Sequence, residues 1–224
     1  YQTRTSLILS FDGEIYQSYM KLKDINGLAL GYTQAMMTGL LFIPIVKSVS
    51  IMGLGAGSMV KNLLNSFPDL IVHAIEYREE VVKTAKKYFH LPDSDRLFIH
   101  IDDAENYIKN TEYKSDVIFS DLYNSEGMEQ LQVQSSYLRD CKNALNIQGV
   151  LVLNIWHTAY ETRRQLEGLL ELEFRDRLLS FKIESGNTIV LAFKNDIPSI
   201  TRRELLANVK RLQEKMNITM EPYA

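Results

Sequence analysis

Five short apolar runs, each followed by a stretch with helical periodicity, limit what this chain can fold into. The runs are residues 48–53, 70–76, 97–101, 117–120 and 149–155. Runs this short and this apolar are typical of strands that are buried on both faces, and the helical stretches supply the crossover connections between them. We therefore predict an α/β fold in which helices cover both faces of a parallel sheet.

The C-terminal part of the sequence breaks this alternation. Two strand-like runs, 177–183 and 188–193, are separated only by residues 184–187. That gap accommodates a hairpin but no crossover helix, so we expect the last strand to run antiparallel. A parallel sheet with an antiparallel last strand is a Rossmann-like sheet of the methyltransferase type.

The N-terminal part predicts a short β-hairpin, because residues 6–11 and 14–20 flank the turn dipeptide Asp12-Gly13. An apolar helix is expected over 32–43 and a polar amphipathic helix over 201–215. The expected domain organisation is a β-hairpin remnant over 1–27, a Rossmann-like nucleoside-binding domain over 28–196, and a C-terminal helix and tail over 197–224.

Composition and charge exclude several classes of protein. With 224 residues, 46% hydrophobic and 24% charged, the chain resembles an average globular domain rather than a disordered or fibrous one. The net charge of −3 argues against a general nucleic-acid binder, and the single cysteine, Cys141, excludes a disulfide within the chain. Because no apolar run reaches the ~18 residues of a membrane-spanning helix, we expect a cytoplasmic protein that binds neither a membrane nor nucleic acid.

A glycine-rich loop joins the first buried run to its helix. Gly53, Gly55 and Gly57 alternate with larger residues and are followed by Ser58, where the helix is expected to begin. Glycines let the backbone pass close to a ligand, and the N-terminus of the helix offers unpaired N–H groups. This loop predicts a ligand-binding site at the carboxyl end of the sheet.

Acidic residues follow the next three predicted strands. Glu76 ends the second strand, 23 residues after Gly53, where a doubly wound nucleotide site places the acid that binds ribose hydroxyls. Asp102 and Asp103 follow the third strand, and Asp121 follows the fourth. A carboxylate at these positions can accept a hydrogen bond from an adenine amino group or a proton from an amine. Together with the glycine loop, the acids predict a nucleoside site.

Several stretches of the sequence occur together in the order of a known family: FDGEIYQ (11–17), YTQAMM (32–37), GLGAG (53–57), Glu76, Asp103-Ala104, and Asp121 within FSDLYNSEG (119–127). In these stretches the chain resembles the spermidine synthases or polyamine aminopropyltransferases. The similarity extends in the same order over about residues 7–195, and is greatest to short bacterial spermidine synthase-like members with a reduced N-terminal β-domain.

The resemblance implies that an aminopropyl group is transferred from decarboxylated S-adenosylmethionine to a di- or polyamine, with methylthioadenosine as product and no permanently bound cofactor. Asp121 would be the catalytic residue that orients and deprotonates the attacking amine. The residues expected to bind the donor are Gln17, Gly53, Gly55, Gly57, Glu76, Asp103 and Ala104. Those expected to bind the amine are Gln34, Tyr123, Asn124 and Glu126.

Two departures from the family pattern leave alternatives open. Ala56 stands where the family's glycine loop usually carries an acid, and Asn124 stands where the catalytic loop usually has a second one. A methyltransferase that uses intact S-adenosylmethionine, or a non-catalytic nucleoside- or polyamine-binding protein, would fit these changes. No metal site is predicted, since the histidines lack ligand spacing. The exposed edge of the N-terminal hairpin predicts a homodimer.

Overall fold

A central sheet of seven strands organises the protein, whose computed structural model describes residues 2–10, 18–124, 127–128, 130–156 and 160–220. Along these residues the strands are β1 (Ser6–Leu9), β2 (Ser18–Lys21), β3 (Ser48–Met52), β4 (Ile71–Glu76), β5 (Leu97–Ile101), β6 (Ser115–Ser120), β7 (Tyr123–Asn124), β8 (Gly127–Met128), β9 (Leu145–Ile155), β10 (Leu178–Lys182) and β11 (Thr188–Phe193). The α-helices are α1 (Gly31–Met36), α2 (Ser58–Ser66), α3 (Glu79–Tyr88), α4 (Ala104–Asn110), α5 (Ser135–Ala144), α6 (Tyr160–Phe174) and α7 (Arg202–Met216).

The order of strands in the sheet is β10-β11-β9-β6-β3-β4-β5. From β9 to β5 all neighbours are parallel, whereas β11 runs antiparallel to both β9 and β10. This confirms the predicted α/β sheet of the methyltransferase type. Because β11 is reversed, its first residue, Thr188, lies opposite Ile155, the last residue of β9.

One strand begins earlier than the sequence indicated. β9 starts at Leu145, not at Gly149, and its pairing with β6 shifts register between Ser115 and Val117. The sequence 145–149 includes polar and exposed residues, so its hydrophobicity pattern gave no sign of a strand. In this register Leu145 pairs with Ser115 and Val150 pairs with Val117, so residues 146–149 form an irregularity between the two paired positions.

The alternation of side chains along the strands produces two separate hydrophobic cores. Val49, Ile51 and Val72 face the side that is covered by α1, α2, α3 and α7. Met52, Ile75 and Ile118 face the side that is covered by α4, α5 and α6. The amphipathic helix α7 therefore contributes Val209, Leu212 and Met216 to the core.

The N-terminal strands β1 and β2 form an antiparallel pair beside the glycine loop, as predicted; the turn at Asp12-Gly13 lies outside the described residues. Met20 of β2 is buried against Ala56 and Phe89. The buried Lys61 ammonium of α2 donates to the Phe89 carbonyl at 2.7 Å, and burial lowers the pKa of this lysine to about 8. No helix in the described part of the chain is long and apolar enough to cross a membrane.

Candidate active site

A cavity of about 660 Å³ opens at the carboxyl ends of the parallel strands. Open α/β sheets bind ligands at this edge because the strand-to-helix loops converge there. Backbone hydrogen bonds bring the strand ends together: the Gly53 N–H donates to Ile75 O, and the Asp121 N–H donates to Met52 O, both at 3.0 Å. The described residues that line the cavity include Ser18, Tyr32, Gly53, Gly55, Glu76, Arg78, Asp102, Asp103, Ala104, Asp121, Tyr123, Asn154, Trp156, Ser185 and Asn187.

The glycine loop adopts a backbone that larger residues would strain. Gly53, Gly55 and Gly57 have φ angles of 94°, 54° and 74°. A Cβ at Gly53 would lie 2.4 Å from the backbone oxygen of Asp121, and one at Gly57 would lie 2.5 Å from Leu91. Gly53 and Gly55 thus line the cavity, while Gly57 faces the packed interior and serves as the N-cap residue of α2.

Glu76 is held against the glycine loop at the end of β4. Its side chain is buried, with 8% of the residue surface exposed, and the Oε2 atom accepts from the Gly55 N–H at 3.4 Å. The Oε1 atom accepts from the Arg78 N–H at 3.1 Å. These bonds fix the carboxylate beside the glycine loop. Glu76 is the residue that is predicted from the sequence to bind the ribose hydroxyls.

Asp102 and Asp103 lie where β5 passes into α4. Asp103 is the N-cap residue of α4, since its Oδ1 atom accepts from the N–H groups of Glu105 at 2.8 Å and Asn106 at 3.4 Å. Its other oxygen, Oδ2, makes neither of these bonds. The Asp102 carboxylate binds the Asn106 side-chain amide at 2.9 Å. Both carboxylates and Ala104 line the cavity, so a capping function accompanies the predicted binding function of Asp103.

Asp121 follows β6 and is half-buried in the cavity wall. The Asn154 side-chain amide of β9 donates to Asp121 Oδ1 at 2.9 Å, and the Tyr32 hydroxyl of α1 also donates to this carboxylate. Burial raises the pKa of the Asp121 carboxyl above its usual range, and these two hydrogen bonds oppose the rise. The result is a carboxylate that is anchored on two sides and has a stronger affinity for a proton than an ordinary aspartate.

Tyr123 forms part of the same wall, two residues beyond Asp121. Its hydroxyl donates to the backbone oxygen of Asn154 at 2.8 Å, and its ring lies 6.3 Å from that of Trp156. Asn124 follows it in β7, which pairs with β8. Glu126 lies outside the described residues, as does Gln17.

Gln34 is not brought to this cavity. Its side-chain amide donates to Leu28 O at 2.7 Å and accepts from the Thr219 N–H at 3.1 Å. The amide thus joins α1 to the segment that follows α7. Tyr32 and Thr33, from the same stretch, line the cavity in its place.

Several cavity residues were not identified from the sequence. Ser18 and Arg78 line the cavity beside the glycine loop and Glu76, and Asn154 and Asn187 line it beside Asp121. A polar residue such as Asn154 inside an apolar strand is an available sequence signal, because a buried amide needs hydrogen-bonding partners. The positions of Ser18 and Asn187 depend on how the two hairpins pack and had no such signal.

The cavity has a negative electrostatic character. Among the described residues that line it, the carboxylates of Glu76, Asp102, Asp103 and Asp121 face one guanidinium, that of Arg78. Such a cavity attracts cations. Its glycine loop and Glu76 suit a nucleoside, and a half-buried carboxylate suits proton transfer from an amine.

Comparison with known proteins identifies a matching family and similar sequences. Residues 30–167 match the family model described as "Spermine/spermidine synthase domain". A polyamine aminopropyltransferase of Neisseria meningitidis is 31% identical over 212 residues, which cover 93% of this chain and 79% of that protein.

Solved structures share the fold. A probable spermidine synthase from Corynebacterium glutamicum superposes with a TM-score of 0.77 at 19% identity, covering 93% of this chain and 80% of that one. Human methyltransferase-like protein 13 in complex with SAH gives a TM-score of 0.75 at 24% identity, covering 84% and 93%. At these identities the two structures show a shared fold, and the family model and the relative above 30% identity show the family. On that match, the chain belongs to the spermine/spermidine synthase family.

Proposed function

We propose that the protein transfers an aminopropyl group from decarboxylated S-adenosylmethionine to a di- or polyamine and releases methylthioadenosine. The observation that carries this proposal is the anchored Asp121 carboxylate, which shares one cavity with Glu76 and the glycine loop. Membership of the spermine/spermidine synthase family supports it.

The donor would occupy the end of the cavity at the glycine loop. Glu76 would accept hydrogen bonds from the ribose hydroxyls, and Asp103 would accept one from the adenine amino group through Oδ2. Gly53 and Gly55 would let the nucleoside approach the backbone, and Ala104 would line the base pocket. Gln17 is also assigned to donor binding. The negative character of the cavity favours a donor whose sulfonium and amine are both cationic.

The amine acceptor would lie at Asp121. A polyamine nitrogen is protonated near pH 7, and it must lose its proton before it can attack carbon. A carboxylate attracts the ammonium group and then accepts that proton, and its raised pKa assists the transfer. Tyr123, Asn124 and Glu126 are assigned to the acceptor as well. Gln34, which binds Leu28 and Thr219 instead, is withdrawn from this assignment.

The reaction then requires one displacement. The neutral amine nitrogen forms a bond to the propyl carbon next to sulfur, while the carbon–sulfur bond breaks and its electron pair returns to sulfur. The leaving group is neutral methylthioadenosine, and the new secondary amine keeps its positive charge as an ammonium. The one proton that is released in the reaction is the proton that Asp121 accepted before the attack. Most of the rate acceleration would come from holding nitrogen, carbon and sulfur in line.

A methyltransferase activity with intact S-adenosylmethionine is the weaker alternative. One observation favours it: Arg78 lines the cavity and could attract the donor's carboxylate. The four carboxylates around it disfavour that group. Ala56, at the loop position where the family usually carries an acid, is buried against Met20 and Phe89 and so gives the cavity no charge of either sign.

The remaining expectations belong to the same proposal. The hairpin over 1–27 would mediate a homodimer, residues 28–196 would form the nucleoside-binding domain, and 197–224 would cover it. The enzyme would act in the cytoplasm on small-molecule amines.

A turnover assay followed by mass spectrometry tests the proposal. The protein is offered decarboxylated or intact S-adenosylmethionine together with putrescine, cadaverine, agmatine and spermidine. Methylthioadenosine that forms with the wild type and disappears with Asp121→Asn would support aminopropyl transfer. S-adenosylhomocysteine would instead favour the methyltransferase, and a folded protein that gives neither product would contradict both.

A further inference from the structure

The turn between β10 and β11 reaches the cavity from the antiparallel side of the sheet. Ser185 and Asn187 from this turn line the cavity, although neither follows a parallel strand. The Asn187 side chain is buried, with 4% of the residue exposed, so its amide must find partners inside the protein. Hydrogen bonds connect Asn187 through these partners to Asp121.

Four side chains form a continuous row of hydrogen bonds. The Ser185 hydroxyl donates to Asn187 Oδ1 at 2.6 Å, and Asn187 Nδ2 donates to Asn154 Oδ1 at 2.8 Å. Asn154 Nδ2 then donates to Asp121 Oδ1 at 2.9 Å. Ser185, Asn187 and Asn154 therefore each donate a hydrogen bond in the direction of the Asp121 carboxylate.

The direction of this row follows from its last member. An ionised carboxylate can only accept, so Asn154 must turn its NH2 group to Asp121 and its oxygen to Asn187. The oxygen of Asn154 then requires a donor, which fixes Asn187 with its NH2 group inward and its oxygen towards Ser185. The charge of Asp121 thus determines both amide orientations, and the amides in turn favour the charged form.

We propose that Asn187 is a positioning residue for Asp121, acting through Asn154, with Ser185 holding Asn187 in place. The proposal rests on the proposed function in one respect, namely that Asp121 accepts the proton of the amine. Without the bond from Asn187, Asn154 can rotate, and Asp121 loses a fixed donor and its orientation towards the substrate.

Other groups around Asp121 stay the same when residue 187 is changed. Among the described residues, the titratable groups that act on it are Tyr32 of α1, which donates to it, and Tyr123 of β7. Asn154 of β9 is neutral. The charged residues elsewhere in the cavity wall are Glu76, Arg78, Asp102 and Asp103.

Two substitutions distinguish positioning from packing. Asn187→Asp keeps the shape of the side chain and can still accept from Ser185, but it cannot donate to Asn154. Asn187→Ala removes the group and leaves a small cavity. A packing role predicts that alanine is the more harmful change, whereas the proposed role predicts that aspartate is. Asn195→Asp adds the same charge at an exposed position beyond the other end of β11 and serves as the matched control.

The readouts are the titration of the Asp121 carboxyl carbon, followed by NMR in protein labelled with 13C-aspartate, and kcat as a function of pH. Asp121→Asn assigns the signal. We expect the midpoint of Asp121 to rise by about half a unit in Asn187→Ala and by about one unit or more in Asn187→Asp. We expect kcat to fall roughly tenfold in Asn187→Ala and by more than that in Asn187→Asp. The acidic limb of the kcat profile should move to higher pH by the same amounts as the Asp121 midpoint. Asn195→Asp should change neither.

An unchanged Asp121 midpoint in both folded variants would overturn the proposal, and so would a greater loss of kcat with alanine than with aspartate. If Asn187→Asp does not fold, the midpoint of the alanine variant decides alone. A wild type that titrates as expected but does not turn over would contradict the proposed function and leave the positioning of Asp121 supported.

Discussion

The Ser18 hydroxyl accepts a hydrogen bond of 3.0 Å from the Ala56 backbone N–H and thereby joins the N-terminal hairpin to the glycine loop. Ser18 also lines the cavity, and its Oγ would lie 2.9 Å from a Cβ placed on Gly55. The hairpin therefore contacts the glycine loop and forms part of the candidate active site.

Replacing Ser18 with alanine should weaken donor binding. The loss of one hydrogen bond to the loop, worth about 1 kcal/mol, predicts a roughly fivefold rise in KM for decarboxylated S-adenosylmethionine. Because the bond exists before the reaction, kcat should stay unchanged. Steady-state kinetics measure both values, and Ser180→Ala, at an exposed position of β10, is the control. A fall in kcat with unchanged KM would contradict this role.

Gly53→Ala should damage both stability and activity. The residue has a φ of 94°, and a Cβ would lie 2.4 Å from the backbone oxygen of Asp121. We expect a loss of about 2 kcal/mol or more in the free energy of unfolding and at least a roughly tenfold loss of kcat, as Asp121 is displaced.

Gly168→Ala is the matched control for that change. This glycine lies within α6 with no atom within 4 Å of the added Cβ, so alanine should stabilise the protein by up to ~1 kcal/mol. Urea unfolding measures both variants. Equal stabilities for the two variants would show that the loop tolerates a side chain at residue 53.

The pH dependence of kcat/KM should show the raised pKa of Asp121. Activity requires the carboxylate, so it falls as the pH drops through the pKa of the folded enzyme, which lies above the ordinary value of 3.8. Tyr32→Phe removes a hydrogen bond that favours the carboxylate and should move this acidic limb to still higher pH. Tyr160→Phe, at an exposed position, should leave the limb in place. A limb that moves to lower pH in Tyr32→Phe would contradict the assignment.

Asp103→Ser should separate the two functions of this residue. Serine is as good an N-cap residue as aspartate, so the free energy of unfolding should change little. The hydroxyl carries no charge and is shorter, so the contact with the adenine amino group should be lost and KM for the donor should rise severalfold. Asp103→Ala should raise KM similarly and also destabilise α4 by about 1 kcal/mol. Thermal unfolding and steady-state kinetics give the two quantities; an unchanged KM in both variants would argue against adenine recognition.

The architecture could be predicted because local patterns determine it. Apolar runs of strand length fixed β3, β4 and β5 to within a residue, and the short gap at 184–187 indicated the reversed β11. The acids at Glu76, Asp103 and Asp121 follow from the rule that strand ends meet at one edge of a parallel sheet. These inferences need no knowledge of tertiary contacts.

The other cavity residues depend on contacts between distant segments. Asn154 reaches Asp121 from 33 residues away, and Asn187 reaches Asn154 from another 33. Gln34 lies on the side of α1 that faces the segment after α7, whereas Tyr32, two residues earlier, lines the cavity. An ambiguity of one residue in matching this stretch is enough to exchange the two sides. Ala56 stands where the family usually carries an acid, and its burial against Met20 of β2 depends on how the N-terminal hairpin packs.

The reversal of β11 affects how the wall of the cavity near Asp121 could be lengthened. The parallel strands that border the cavity lead into crossover segments, so lengthening their loops moves a helix as well. The turn at 184–187 instead joins two adjacent strands whose register is fixed along their whole length, from Leu178 opposite Ala192 to Lys182 opposite Thr188. An insertion at Gly186, whose added Cβ would meet no atom within 4 Å, would therefore extend one wall of the cavity while the helices stay in place. It would also separate Ser185 from Asn187 and so change the row of hydrogen bonds that leads to Asp121. Length variation in this turn would therefore change the size of the cavity and the anchoring of Asp121 together, without moving a helix.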